Sequence, residues 1–323
     1  MSGLYLIKRG THPVQGSKYK FVEMFSMLTD IECLDSNNPE LVYEKLGKSP
    51  KPILVHGDRQ QDYKFSYRYG LPYILNENDV ASLRGNDIGE ELEMIEDAST
   101  ILFTSEVLRK KMETMYDMAD SHVVHLRPLR KDLDFDKKKP RFSGKNAVFA
   151  GGLFADDDDD AYSYRKYTDI FSRIIDSGWN LHLYSSSFSK NDVIRAYSDI
   201  GCHVHGHVQE ADLYRELSQY DVGLQAFAKP GVSDYVQYAV PNKTWLYLAA
   251  GIPTLGINSH VSHIYEGKWG ISSNESDLSS KDLGSLLDNA TSMKITDDMR
   301  YSEVIDNDID TFRSMLKSVG IDS

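Results

Sequence analysis

Pro241 to Gly256 reads PNKTWLYLAAGIPTLG. The run from Lys243 to Ala250 reads as a short apolar helix: Pro241 precedes it, Gly251 stops it, and Pro253 starts an extended segment. A helix N-terminus carries unpaired N–H groups and partial positive charge. A lysine placed there makes an anion site, and the commonest biological anion is a phosphate. The alternative is a buried helix that begins with a solvated lysine, so the surrounding chain must decide between them.

Working outward, strands alternate with helices. Upstream, NAVFAGGLF (Asn146 to Phe154) reads as a strand ending in paired glycines, and SYRKYTDIFSRIIDSG as a helix. WNLHLYSSS, CHVHGHV and DVGLQAF read as strands, separated by the helices SKNDVIRAYSDIG and EADLYRELSQY. Downstream, IPTLGI is a strand, and the tail DMRYSEVIDNDIDTFRSMLKSVG reads as one long acidic helix or two shorter ones. The first half has the same rhythm. LYLIKRG, IECLD, PILVHGD, LPYILNEND, STILFTS and SHVVHLRP are strands, with helices such as KYKFVEMFSMLTD, PELVYEKLGKS and SEVLRKKMETMYDM between them. Such alternation implies parallel sheets covered on both faces.

Lys131 to Lys145, KDLDFDKKKPRFSGK, breaks the rhythm with charge, Pro140 and Gly144, and reads as an interdomain linker. The fold class expected is therefore α/β, with two doubly wound Rossmann-like domains facing across a cleft. The expected bounds are 1–143 for an N-terminal domain and 144–300 for a C-terminal domain, with 301–323 a C-terminal helix packing back on the first. Ligands of open α/β sheets bind beyond the carboxyl ends of the strands.

Composition narrows the function classes. The chain has 323 residues, 41% of them hydrophobic, and a formal charge of −13. That charge is a poor basis for non-specific nucleic-acid binding, where Lys and Arg must neutralise phosphates. Cys33 and Cys202 are the only cysteines, so neither zinc spacing nor a disulfide framework exists. MSGLYLIKRG has too short an apolar run for a signal peptide, and no segment approaches the roughly 20 apolar residues of a membrane span. A cytoplasmic location is expected.

AVFAGGL, VHGHVQEADLYRELSQYDVGLQAF and PNKTWLYLAAGIPTLG, in that order, resemble the donor domain of GT-B glycosyltransferases, especially the retaining group that uses nucleotide-sugars. The resemblance covers Asn146 to about Ile271, and the first half only as architecture, helped by PYILNENDVASLRG. It implies sugar transfer from a nucleotide-sugar, UDP- or GDP-linked, with no metal and no further cofactor. Lys243 would pair with the diphosphate and stabilise charge developing on the leaving group. The family usually carries Glu where Leu246 and Tyr238 stand, and Arg beside the glycine after the first donor-domain strand. Here that place reads Gly151-Gly152, and under this resemblance Lys166 or Arg165 would supply the second phosphate charge.

The donor-side candidates are Lys243, Asn242, Gly151, Gly152, Lys166, Val208 in the turn beside the nucleotide base, and Ser233, Asp234 and Tyr235 in the loop AKPGVSDYVQYAV. The glycines let a phosphate approach the backbone, or form a plain turn. Catalytic candidates end first-half strands or follow them: Glu77 in NEND, His56 in VHGD and His12 in the first loop. Glu77 could take a proton from the acceptor hydroxyl or hold sugar hydroxyls. Asp156 to Asp160 has the Asp-x-Asp spacing of a metal site but reads as a solvated face or mobile lid.

Arg127, Arg130, Lys131 and Lys137 to Lys139 form the one basic cluster, read as a solvated linker. The sharper alternatives are weak contact with an anionic membrane surface or with DNA. The acceptor stays open among a glycan, a lipid-linked molecule and a nucleic acid. Two further functions stay open: an epimerase or non-catalytic nucleotide-sugar-binding member of the same fold, and a DNA-base glycosyltransferase.

Overall fold

The computed structural model describes residues 3–8, 20–56, 62–77, 80, 82–84, 89–118, 120–137, 142–155, 164–185, 191–228, 238, 240–259, 265–273 and 279–322. The chain divides into two compact units. The first comprises Met1–Leu126, Tyr238–Val240 and Ile305–Ser323; the second comprises Arg127–Gln237 and Pro241–Val304.

In chain order the first unit holds β1 (Leu4–Lys8), α1 (Lys20–Leu28), β2 (Ile31–Asp35), α2 (Pro39–Lys48), β3 (Ile53–His56), α3 (Lys64–Tyr67), β4 (Tyr73–Glu77), α4 (Gly89–Glu96), β5 (Thr100–Phe103), α5 (Glu106–Glu113) and β6 (Ser121–Val123). The second holds β7 (Asn146–Ala150), α6 (Thr168–Asp176), β8 (Asn180–Tyr184), α7 (Asn191–Asp199), β9 (His203–Gly206), α8 (Glu210–Leu217), β10 (Val222–Ala226), α9 (Lys243–Ala250), β11 (Thr254–Ile257), β12 (Gly270–Ser273), α10 (Ser280–Thr291) and α11 (Asp297–Ser302). The last helix, α12 (Ile309–Ser318), counts with the first unit.

Each unit is built on a six-stranded sheet, ordered β2-β1-β3-β4-β5-β6 in the first and β12-β11-β10-β7-β8-β9 in the second. Among the described residues, all strand pairs within the two sheets are parallel. Central strands are buried along their length, which is why LYLIK, ILVH and NAVFA read as near-continuous apolar runs. In the first unit Phe312 of α12 packs edge-on against Phe25 of α1, with ring centroids 4.9 Å apart.

In the second sheet, alternation gives each face its own core. Phe149, Leu183, Leu224 and Leu255 face Phe171, Leu283 and Leu287, whereas Val148, Ala150 and Tyr184 face Tyr220, Tyr247 and Ala250.

Several expectations change here. The helix expected from Ser163 begins only at Thr168, which leaves Arg165 and Lys166 in the approach to it. β12 and α10 were not expected. β12 is a short edge strand of mostly half-buried small residues, GISS, with no apolar alternation to read. α10 does carry a signal: Ser279 accepts from the Asp282 N–H, and Asp282 reaches back to the Ser279 N–H, a capping box. Of the two readings of the tail, the structure has the two shorter helices, with a 3₁₀ turn at Ile305–Asp308 between them.

The stretch from Lys131, read as a solvated linker, packs on the second unit instead. Leu133 is buried with Tyr214, Ala249 and Val304, and Phe135 stacks on Tyr214. Arg300 holds the stretch in place. It donates to the carbonyls of Ala249 (2.9 Å) and Leu133 (3.4 Å) and lies over the Phe135 ring. The nearby basic residues are engaged within the chain: Arg127 pairs with Glu303, Lys137 with Asp297, and Arg130 lies over Tyr301. Among the described residues no helix is long and apolar enough to cross a membrane.

Candidate functional site

The site is built from the carboxyl ends of the second sheet, and its placement starts with Tyr247. Gly223 on β10 has no side chain, and the Tyr247 ring lies directly over it: a Cβ built on Gly223 would fall 2.2 Å from Tyr247 Cγ. The buried Tyr247 hydroxyl accepts from the Ala150 N–H (3.0 Å) and donates to the Leu224 carbonyl (2.9 Å). That single side chain fixes α9 against the end of β7 and the middle of β10. At the other end Gly251 takes the left-handed conformation (φ 75°) that closes the helix, as its position in the sequence suggests.

Lys243 lies one turn before Tyr247, so the same anchoring delivers its ammonium to the end of β7. The Nζ sits 4.0 Å from the centroid of the Phe149 ring. A Cβ on Gly151 would lie 3.0 Å from that Nζ, and one on Gly152 would lie 3.0 Å from Nη1 of Arg165. Two cations therefore converge on the Gly151–Gly152 turn, in space that side chains on those glycines would take. Lys243 as a whole is half-buried, and its ammonium is the desolvated part. Burial, and then repulsion from Arg165, bring its pKa down to about 7. A desolvated cation beside a second cation is a site that gains by meeting an anion.

Of the two residues considered for the second charge, Arg165 makes this approach to Gly152. Its segment is held by the Phe154 N–H donating to the Arg165 carbonyl and the Ala228 N–H to the Tyr164 carbonyl. Lys166 is half-buried in the same segment.

The expected helix N-terminus contributes less than the sequence suggests. Asn242 has helical backbone angles and makes no side-chain cap, and the Thr244 N–H donates to the Pro241 carbonyl. The positive charge of this site is carried by side chains.

Behind Lys243 runs a buried polar chain that the sequence did not announce. Thr244 Oγ1 donates to Gln225 Oε1, and Gln225 Nε2 donates to Ser259 Oγ at 2.6 Å. Leu246, where the resembling family has a carboxylate, is half-buried against both the Tyr247 and Leu133 clusters. Tyr238 counts with the first unit, where its carbonyl accepts from Ser105 Oγ and its ring lies near Lys111.

On the other side of β7, Val208 packs half-buried on the cluster that contains Tyr184 and Tyr220, just past Gly206, which has φ 79°. His205 joins His182 through a ring–ring hydrogen bond of 2.9 Å. His182 Nε2 donates to Asn146 Oδ1, so His182 Nδ1 accepts from His205 Nε2. Burial first, then the neighbouring His203 and His205, holds His182 neutral, with a pKa of about 3.

In the first unit, His56 and Glu77 end neighbouring parallel strands. His56 is paired in register with Asn76, and Asn76 Nδ2 donates to His56 Nδ1 at 2.9 Å. Strand alternation sends the adjacent Glu77, fully buried, to the opposite face of the sheet from that pair. His12, Asp79, Ser233, Asp234, Tyr235 and Asp156 to Asp160 lie outside the described residues.

No protein-family model and no curated protein sequence matches the chain. Solved structures do. Anabaena HepE in complex with UDP-glucose aligns over 98% of this chain and 100% of its own, at 10% identity and a TM-score of 0.70. The E. coli trehalose-6-phosphate structure bound with UDP-2-fluoro glucose covers 99% of each chain at 10% identity, TM-score 0.65. A glycosyltransferase from Rickettsia africae covers 98% of this chain and 99% of its own at 11% identity, TM-score 0.64. With two parallel six-stranded sheets matched over their whole length, this chain has the GT-B glycosyltransferase fold.

Proposed function

We propose that the protein transfers a hexosyl or pentosyl group from a nucleotide-sugar to an acceptor, with the donor's diphosphate held by Lys243 and Arg165 over Gly151–Gly152. The observation that carries the reading is the convergence of two cations on a side-chain-free turn at the carboxyl end of a parallel strand. A diphosphate there restores the charge balance that burial withholds from Lys243. It also gives the departing nucleotide a fixed positive field, so the cations stabilise charge that grows in the transition state.

UDP and GDP are the donor nucleotides to test first. UDP-glucose and UDP-2-fluoro glucose occupy two of the similar structures. His56 is the first unit's candidate for contact with the acceptor, its Nδ1 engaged by Asn76. Retention of configuration follows from the family resemblance alone.

A second reading keeps the donor site without turnover. Leu246 and Tyr238 stand where the resembling family carries carboxylates, which favours a protein that binds nucleotide-sugar and does not transfer it. Release of UDP or GDP from a panel of nucleotide-sugars separates the two. Transfer or hydrolysis supports the enzyme. Saturable binding without either reaction supports the binding protein.

A further inference from the structure

Asn258 is the only non-glycine residue with positive φ among the described residues (56°). It directly follows β11 and is fully buried. Asparagine tolerates this left-handed backbone better than most residues. The turn it occupies is gripped from three directions. Its N–H donates to the carbonyl of Ser273, the last residue of β12 (2.7 Å), and its Nδ2 donates to the Phe227 carbonyl just after β10 (2.9 Å). The next residue, Ser259, is also fully buried and accepts from Gln225, which is itself bonded to Thr244 in the first turn of α9.

The carboxamide is thus fixed by its nitrogen. Its oxygen is different: Asn258 Oδ1 is buried and has no hydrogen-bond partner among the described residues. Native proteins seldom leave such an acceptor unmet, and each exception calls for a reason, such as a catalytic role or a group that arrives to complete it.

The location fits a particular part of the donor. β7, β10 and β11 are consecutive neighbours in the sheet. At about 4.8 Å per strand, the end of β11 lies about 10 Å from the end of β7, where the two cations meet. On the opposite side of β7 lie β8, β9 and the Gly206–Val208 turn. With the diphosphate at Gly151–Gly152, a base placed at the Gly206–Val208 turn leaves the β10–β11 side for the sugar.

Resting on the donor-site reading above, we propose that Asn258 Oδ1 accepts a hydrogen bond from a hydroxyl of the donor's sugar and so takes part in selecting that sugar. The Phe227 carbonyl settles which way the carboxamide faces. The sugar hydroxyl supplies the donor that Oδ1 lacks.

The test compares wild type with Asn258→Gly in titrations with UDP, UDP-glucose, UDP-galactose, GDP and GDP-mannose. Glycine adopts the same φ without strain, so the backbone is kept and only the carboxamide is removed. For the nucleotide-sugar that wild type binds best, affinity should fall about tenfold in the variant. Affinity for the parent diphosphate should move less than about twofold, since the cations are untouched. Equal losses for sugar and parent, or no loss for either, overturn the role of Asn258 and leave the diphosphate site standing. No diphosphate binding by wild type removes the donor site, and this inference with it.

If Asn258→Gly does not fold, deoxy-sugar donors are titrated against wild type. One missing hydroxyl should account for the about tenfold loss. Equal affinity for every deoxy donor overturns the proposal.

Discussion

The Lys243 ammonium lies 4.0 Å from the Phe149 ring centroid and within contact range of a Cβ that Gly151 does not have. The aromatic face offsets part of the cost of desolvating the cation. Burial and Arg165 still bring its pKa from the usual 10.5 down to about 7.

That shift makes diphosphate binding depend on protons. Above pH 7 the ammonium of the free protein is partly deprotonated, and a bound diphosphate favours the charged form, so binding takes up a proton. Affinity for UDP or GDP should fall as pH rises from 7 to 9. Titration calorimetry in two buffers of different ionisation enthalpy should show uptake approaching one proton at the upper end of that range. Without ligand the sign is opposite. The folded state binds fewer protons than the unfolded state between the two pKa values, so Lys243 makes stability rise with pH through that window, and its penalty is complete below it. An uptake of zero at pH 8 in wild type would show that Lys243 is not the group responding to the ligand.

Methyl groups at the turn should displace the cations without unfolding the protein. Gly151→Ala meets the flexible end of Lys243 and Gly152→Ala the guanidinium of Arg165, each at 3.0 Å. Each should weaken diphosphate binding about tenfold, with melting temperature nearly unchanged. Unchanged affinity in both variants would mean that the turn does not face the ligand.

Gly223→Ala should behave in the opposite way. Its Cβ would fall on the Tyr247 ring, 2.2 Å from Cγ, where neither sheet nor helix can yield. Overpacking of this severity costs about 3 kcal/mol or more. Urea denaturation should show that loss even with saturating nucleotide absent.

Tyr247→Phe leaves the ring and removes the hydroxyl that joins Ala150 to Leu224. The buried Ala150 N–H is then unmet, at about 1–3 kcal/mol. The variant should lose that much stability and bind diphosphate more weakly, because Lys243 is placed by the same helix. Loss of stability with full affinity would separate the anchor from the site.

Much of this arrangement was legible in the sequence, for identifiable reasons. Buried parallel strands read as apolar runs, and Gly251 marks a helix end that the structure confirms in detail. Lys243 could be singled out because a lysine before an apolar helix is unusual in a core. What could not be read depends on where neighbouring strands bring distant residues. Arg165 reaches Gly152 because α6 starts later than its pattern suggests, and no local signal separates Arg165 from Lys166. The pairing of His56 with Asn76 is set by strand register, which the sequence does not print. Leu133 and Phe135 looked like isolated apolar residues in a charged linker; their partners Tyr214 and Val304 are far along the chain. Asn258 carries no motif, and only its backbone angle and unmet oxygen make it visible.

The most direct test is equilibrium titration of wild type, Lys243→Ala and Arg165→Ala with UDP, GDP and inorganic pyrophosphate at pH 7. Wild type should bind UDP or GDP, with pyrophosphate competing, and each variant should lose at least about tenfold in affinity while remaining folded. Wild-type affinity in both variants would contradict a diphosphate site at Gly151–Gly152.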